Sequence, residues 1–374
     1  MSGPVRRLAP LVVLALGLVV TACVPVKGQS SGDAQWLAGR LNETIAAKNE
    51  AAFDALFTNQ AAAGSHHWIW QNLLILPKVS FAVDGDTLTA NWRATADTLD
   101  ITNRVGLVSC TTATNCRVDD LGPQTGEPAP IWAVQPLASL GIGKVTVFGA
   151  QDDASLHDWM WAAQSAQITV AGAGLGELAS AWDGWLVVEL PRDAGAMAQL
   201  LGRPTVAGYT TAGALTWVER QPGGGPPDAG PVAHVIVNPL TTGSYNTPPP
   251  RTLLLTHEAV HVATAAVPVA PGATWVSEGL AEKIALGSSI GGDRAETAQA
   301  RTACTADGLT PPLDEAFGGT DVAGQSMAYA VSQVLVGLIQ EHLGESAMDA
   351  IAALWRGQDA PGVDLEAWSK AWCA

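Results

Sequence analysis

The stretch LLLTHEAVHVAT, residues 253–264, contains two histidines four positions apart, His257 and His261, with Glu258 directly after the first. On an α-helix, positions i and i+4 lie one turn apart on the same face, so both imidazoles can contact one ion. Imidazole is a good ligand for Zn²⁺, and a neighbouring glutamate can take a proton from a water that the ion activates. The stretch therefore predicts a helix that carries a zinc site and its general base.

Chance does not account for this spacing. The chain has 7 histidines and 14 glutamates among 374 residues, and a random arrangement would give about 0.005 matches to the pattern His-Glu-x-x-His. Prolines precede the stretch and apolar residues surround the polar triplet, as expected for a partly buried helix.

A hydrolytic zinc site has three protein ligands and leaves the fourth position for water. The stretch TWVSEGLAEKIA, residues 274–285, carries Glu278 and, one helical turn later, Glu282. We expect Glu278 to be the third ligand of one Zn²⁺ per chain, and Glu282 to accept the second N–H of a ligand histidine. The alternative is that both glutamates are solvated charges on a helix surface.

The segments THEAVH and WVSEGLAE resemble those of the gluzincin zinc metallopeptidases of the thermolysin-like clan, in particular the peptidase MA-like exported lipoproteins of actinobacteria. The resemblance covers about residues 155–374. It implies that His257, His261 and Glu278 bind the metal and that Glu258 is the base. It also implies that the strand AHVIVNP, residues 233–239, is the edge strand that flanks the substrate cleft.

Enzymes of this clan use a tyrosine or histidine to stabilise the oxyanion. By resemblance, Tyr329 in SMAYAVSQVLVGLIQEHLG, residues 326–344, is the candidate, with a packed core tyrosine as the alternative. The other histidines receive structural interpretations: His66 and His67 as helix-end or packing residues, and His157, His234 and His342 as surface residues.

The order of predicted helices and strands along the chain indicates an α+β protein with two domains. Residues 33–57 have helical spacing, and alternating stretches follow, with Asp84-Gly85 as a hairpin turn. We interpret residues 33–150 as a small NTF2-like α+β domain. Residues 151–374 are interpreted as a zincin-like domain with a mixed sheet, an active-site helix and a helical C-terminal part. Strands are also predicted at PIWAVQPL and VAGYT.

The N-terminus has the features of an export signal. Arg6 and Arg7 precede the apolar run LVVLALGLVV, and VTAC, ending at Cys23, resembles the lipobox of bacterial lipoproteins. Residues 1–22 would then be a lipoprotein signal peptide, Cys23 the acylated residue, and residues 23–32 a flexible tether. The alternative is an ordinary cleaved signal with an incidental cysteine.

Four cysteines remain after Cys23, and in an exported chain they favour two disulfides among three possible pairings. The short separation favours Cys110–Cys116, which leaves Cys304–Cys373 to fix the C-terminus.

The net charge of −16 argues against a nucleic-acid partner. These features predict a lipid-anchored peptidase on the outer face of the cytoplasmic membrane, acting on a peptide or protein substrate by a zinc-activated water with Glu258 as general base. One alternative is an inactive zinc-holding lipoprotein that binds a partner. A second is an NTF2-like ligand-binding protein with a degenerate C-terminal part.

Overall fold

The computed structural model describes most of the chain after the predicted signal peptide. The described residues are 31–58, 63–98, 100–110, 115–219, 231–245, 247–287, 292–318 and 321–374. The predicted signal peptide, the lipidation site Cys23 and the tether up to residue 30 lie outside them. One four-stranded and one five-stranded sheet together with helices confirm the predicted α+β class.

The N-terminal unit consists of helices followed by an antiparallel sheet. Its elements are α1 Ser31–Ala46, α2 Glu50–Asp54, α3 Ala63–Ile75, β1 Lys78–Asp84, β2 Thr87–Arg93, β3 Ile101–Cys110 and β4 Cys116–Leu121. The sheet order is β1-β2-β3-β4, and Gly85, with a φ of +65°, makes the predicted turn between the first two strands. Along β2 every second residue is buried, as expected for a sheet with one face against a core.

The second sheet is mixed, and its middle strands are parallel. Its strands are β5 Leu137–Ile142, β6 Val145–Ala150, β7 Leu186–Glu189, β8 Ala214–Val218 and β9 Ala233–Val237. The order is β5-β6-β7-β9-β8, with β5 and β8 antiparallel to their neighbours.

The structure corrects three strand assignments. The β5–β6 hairpin pairs with the second sheet, although the sequence placed it within the unit 33–150. The reason is that β6 is buried along both faces, as a strand inside a mixed sheet must be. The stretches predicted as strands at PIWAVQPL and VAGYT contain 3₁₀ turns instead, at Ile131–Ala133 and Ala207–Tyr209.

The predicted edge strand is also wrong. Strand β9, which carries AHVIVNP, lies between β7 and β8, and four of its five residues are buried. The edge position belongs to β8, which exposes Val218 and half-buries its three central residues.

Helices cover one face of the mixed sheet and form the C-terminal part. They are α4 Leu156–Ala171, α6 Pro248–Thr264, α7 Thr274–Gly287, α8 Gly292–Arg301, α9 Val322–Leu343, α10 Ala347–Trp355 and α11 Leu365–Cys373. Helix α5, Ala194–Leu200, lies on the other face, where Met197 and Leu200 join the buried cluster of the N-terminal unit. Helices α4 and α6 pack together on the sheet, with Trp159 and Leu255 in its core. Val322–Trp355 is apolar and long enough to cross a membrane by length and composition, but it contributes Leu335 and Ile339 to this same core.

The N-terminal unit packs on the opposite face of the mixed sheet. Phe148 of β6 and Ile236 of β9 belong to the same buried cluster as Trp92 and Trp132 of the N-terminal unit. The rings of Trp92 and Phe148 meet edge to face, with centroids 6.3 Å apart. The two sheets therefore share one apolar layer.

Both predicted disulfides are confirmed. Cys110–Cys116 joins the facing ends of β3 and β4, and Cys304–Cys373 ties the last helix to the segment after α8.

His234 of β9 is buried in the layer between the sheets, so its interpretation as a surface residue was wrong. Its Nδ1 lies 3.1 Å from Oε1 of Glu189 on β7, and its Nε2 lies 3.3 Å from Oε1 of Glu219 after β8. Burial lowers the pKa of His234, but the charge of Glu189 and the contacts with both glutamates outweigh it and raise the pKa to about 10. The imidazolium compensates two carboxylates that are largely removed from water.

This cluster predicts a specific pH dependence of stability. Because the pKa of His234 is higher in the folded protein than its unfolded value of about 6.5, its stabilisation is complete below pH 6.5. It should be lost as the pH rises toward 10. His234→Gln should cost about 3–5 kcal/mol at pH 7, since it leaves a buried carboxylate without a counter-charge. Denaturant titrations at pH 6, 8 and 10 measure the free energy of unfolding of wild type and of His234→Gln. The same pH dependence in both proteins would contradict the role assigned to His234.

Candidate metal centre

Helix α6 presents the His-Glu-x-x-His segment to a cleft. It begins at a proline run, which suits the first helical turn because proline lacks the N–H that would have no partner there. Leu255, Ala259 and Val260 are fully buried against the sheet and fix the rotation of the helix. The faces that remain direct His257 and His261 toward α7.

Three side chains converge on one point between α6 and α7. Nε2 of His257 lies 3.1 Å from Nε2 of His261 and 3.1 Å from Oε2 of Glu278, and the distance from His261 Nε2 to Glu278 Oε2 is 3.3 Å. Tetrahedral Zn²⁺ with bonds of about 2.0–2.1 Å separates its ligand atoms by about 3.3 Å. The donor set of two imidazole nitrogens and one carboxylate oxygen, and its spacing, therefore fit a zinc ion.

The outer nitrogens of both histidines also have neighbours on α7. Nδ1 of His257 lies 3.2 Å from Oε1 of Glu282, at ion-pair distance but not at a hydrogen-bond angle. Nδ1 of His261 lies 3.4 Å from Oγ of Ser277. Such contacts hold the imidazole rings in orientation and leave each Nε2 free to bind a metal.

The charge balance of the centre favours a cation. Burial lowers the pKa of His257, but the contacts with Glu278 and Glu282 outweigh it and raise this pKa well above its ordinary value. Burial raises the pKa of Glu278, but the charge of His261 and the contacts with both histidines outweigh it and lower this pKa. The same negative field that holds a proton on His257 would attract a divalent metal in its place.

Glu258 is oriented by the edge strand rather than by its own helix. Thr216 of β8 donates its hydroxyl to Oε2 of Glu258 at 2.8 Å, and the Thr216 hydroxyl oxygen also lies 3.1 Å from the backbone oxygen of Glu258. Glu258 is 7% exposed, yet it lines the same cleft as the three candidate ligands. The carboxylate is thus held beside the centre without belonging to the ligand cluster.

Tyr329 of α9 lies beside His257. Its ring centroid is 5.9 Å from that of His257, and both residues line the cleft. Burial raises the pKa of Tyr329, and the charges of Glu278, Glu258 and Glu282 raise it further. The phenol therefore stays protonated and able to donate a hydrogen bond.

Gly279 allows α7 to approach α9 closely. A Cβ at this position would come within 2.4 Å of the backbone oxygen of Ser332. This contact sets the distance between Glu278, the preceding residue, and Tyr329 on the facing helix.

The cleft runs along β8 and has a volume of about 500 Å³. A second lobe of about 430 Å³ shares Ala212, Ala214, Glu258 and Tyr329 with it. The candidate centre thus lies part-way along an elongated depression.

Comparisons with models of protein families, with characterised proteins and with solved structures found no match to this chain.

The structure brings together the six residues that the sequence analysis selected for the site, His257, Glu258, His261, Glu278, Glu282 and Tyr329. Thr216 was missed, because it lies 42 positions before Glu258 in a short strand with no motif of its own. The remaining histidines are elsewhere: His66 packs against the ring of Phe57, and His342 stacks on Trp368.

Metal analysis of the purified protein tests this centre. We expect one Zn²⁺ per chain, and His257→Ala or His261→Ala should remove most of it because each deletes a ligand. Glu278→Ala should weaken binding less, since water can replace one carboxylate oxygen. Glu282→Ala should lower affinity by about 10- to 100-fold, as is usual for a residue behind a ligand.

His342→Ala is the matched control, because this histidine lies at the far end of α9. Near-full zinc content in both ligand-histidine variants would rule out the proposed ligand set.

Proposed function

We propose that the protein is a zinc-dependent peptidase exported from the cytoplasm. The observation that carries the proposal is the convergence of the His257, His261 and Glu278 ligand atoms within 3.1–3.3 Å of one another, with the Glu258 carboxylate lining the same cleft. Two histidines, one glutamate ligand and an adjacent unligated glutamate are the parts that hydrolysis by an activated water requires.

When bound, Zn²⁺ would supply the Lewis acidity that lowers the pKa of a water and polarises a peptide carbonyl. Glu258 takes a proton from the attacking water as the new C–O bond forms, and gives a proton to the amine nitrogen as the C–N bond breaks. The hydroxyl of Thr216 occupies one oxygen of Glu258 and so directs the other toward the cleft.

Tyr329 is suited to stabilise the carbonyl oxygen that gains negative charge. Its hydroxyl stays protonated in the field of three carboxylates, and a donor that is already in position costs no reorganisation during the reaction. Strand β8 is suited to hold the substrate backbone, because an edge strand can pair with an extended peptide.

We also propose that the second unit has a zincin-like fold and the first an NTF2-like fold. A mixed sheet covered by the helix of the His-Glu-x-x-His segment and followed by helices supports a zincin-like description of the second unit. Helices followed by an antiparallel sheet support an NTF2-like description of the first. The presence of Glu258 favours an enzyme over a zinc-holding lipoprotein without activity, because such a protein would not need the base.

Changes to the base and to its contact test the mechanism. Glu258→Gln keeps the size of the side chain but removes its basicity, so peptide hydrolysis should fall by about 10²–10⁴-fold while zinc stays bound.

Thr216→Val removes the hydroxyl that contacts Glu258 and should lower kcat with little change in KM. Thr216→Ser keeps a hydroxyl at this position and should keep kcat close to that of the wild type.

Tyr329→Phe removes the phenol hydroxyl that would stabilise the oxyanion and should lower the rate of hydrolysis by about 10- to 1,000-fold.

The assay is hydrolysis of a broad peptide mixture by each protein at matched zinc content. Equal rates for wild type and Glu258→Gln would contradict the mechanism. A wild-type protein that holds zinc but cleaves no peptide would favour the binding lipoprotein.

The location of the protein is part of the same proposal. An acylated Cys23 would anchor the chain to the outer face of the cytoplasmic membrane, and the two disulfides fit an oxidising compartment. Cys23→Ser should abolish acylation and move the protein from the membrane fraction to the soluble fraction in cell fractionation. An unchanged membrane fraction would favour a different anchor.

A further inference from the structure

The metal centre lies in the middle of a longer depression, to which the N-terminal unit contributes. Beyond the C-terminal half of β8 lies a cavity of about 910 Å³ between the two sheets, here called the inter-sheet groove. One of its walls consists of residues from the N-terminal sheet, among them Thr89, Thr102 and Arg104, and another includes Arg203 after α5.

The inter-sheet groove is continuous with the catalytic cleft. Thr216 and Val218 of β8 line both spaces. At the other end of the strand, Ala212 and Ala214 line both the cleft and its second lobe. The three spaces therefore adjoin one another along β8, and the cleft that contains Glu258 and the metal ligands lies between the second lobe and the inter-sheet groove.

The backbone of β8 directs hydrogen-bonding groups into this path. Asn238 N–H donates to Gly213 O, and Glu219 N–H donates to Val232 O, which fixes the parity of the β8–β9 ladder. In an antiparallel pair, alternate residues point their N–H and C=O groups to opposite sides. Ala214, Thr216 and Val218 therefore point theirs toward the open edge.

We propose that the N-terminal sheet forms one end of a substrate groove, which accepts an extended polypeptide whose chain continues past the metal centre in both directions. The inference rests on the proposed peptidase function. It assigns internal peptide bonds as the substrate, because cavities lined by the described residues continue from the cleft toward both ends of β8. Both signs of charge line the inter-sheet groove, including Arg104 and Glu127, so the groove selects for an extended backbone rather than for one charge.

Two peptides with blocked termini and the same cleavable core test whether the substrate extends from the cleft into the inter-sheet groove. One has about four residues. The other has about twelve residues, which span about 40 Å when extended and reach beyond the cleft. Wild type should cleave the long peptide at an internal bond and with the higher kcat/KM.

Arg104→Trp and Arg203→Trp each place a bulky ring in the lining of the inter-sheet groove, one from the N-terminal sheet and one from the segment after α5. Each should lower kcat/KM for the long peptide by about 10-fold and leave the short peptide unchanged, because only the long chain reaches the groove. Arg40→Trp on α1 is the control: it also replaces an exposed arginine paired with a glutamate, but outside the groove. Thermal unfolding and zinc content of each variant verify that the fold and the centre are intact.

Unchanged cleavage of the long peptide by both groove variants would overturn the groove while leaving the peptidase proposal intact. Removal of single residues from unblocked peptides, with no cleavage of blocked ones, would overturn the assignment of internal bonds. Absence of all zinc-dependent cleavage by wild type would instead remove the proposed function on which the groove rests.

Discussion

The contacts between the imidazole of His257 and the two carboxylates of α7 hold the site together. Glu278 lies at one ring nitrogen and Glu282 at the other, so a single side chain of α6 is fixed from both sides by the neighbouring helix. This arrangement sets the register of α6 against α7. His261 then falls beside the same Glu278 oxygen, and Glu258, one position further around α6, faces the edge strand.

The helical and cysteine patterns were predictable because they are local. Four-residue spacing determines which side chains share a helix face, and it pairs His257 with His261 on one helix and Glu278 with Glu282 on another. The pairing of Cys110 with Cys116 follows from their short separation. Each of these inferences needs only the geometry of one element or of two neighbours in the chain.

Sheet order and the contacts across it were not predictable in this way. Strand β9 follows β8 in the chain but lies between β7 and β8 in the sheet, so the sequence-based choice of β9 as the edge strand was wrong. His234 appeared as an isolated histidine, because its partners lie 45 positions earlier, at Glu189, and 15 positions earlier, at Glu219. Thr216 meets Glu258 only once β8 takes the edge position. These features depend on packing between distant segments, which no local period encodes.

An edge strand that is open to one polypeptide is open to others. Exposed backbone groups along β8 offer the same ladder to a second copy of the chain as to any extended peptide, which is the usual origin of sheet-mediated aggregation. The net charge of −16 opposes this through mutual repulsion between copies, an effect that weakens as salt screens the charges. The acidic composition thus contributes to colloidal solubility, and protein stored at high ionic strength or near its pI of 4.7 loses that protection.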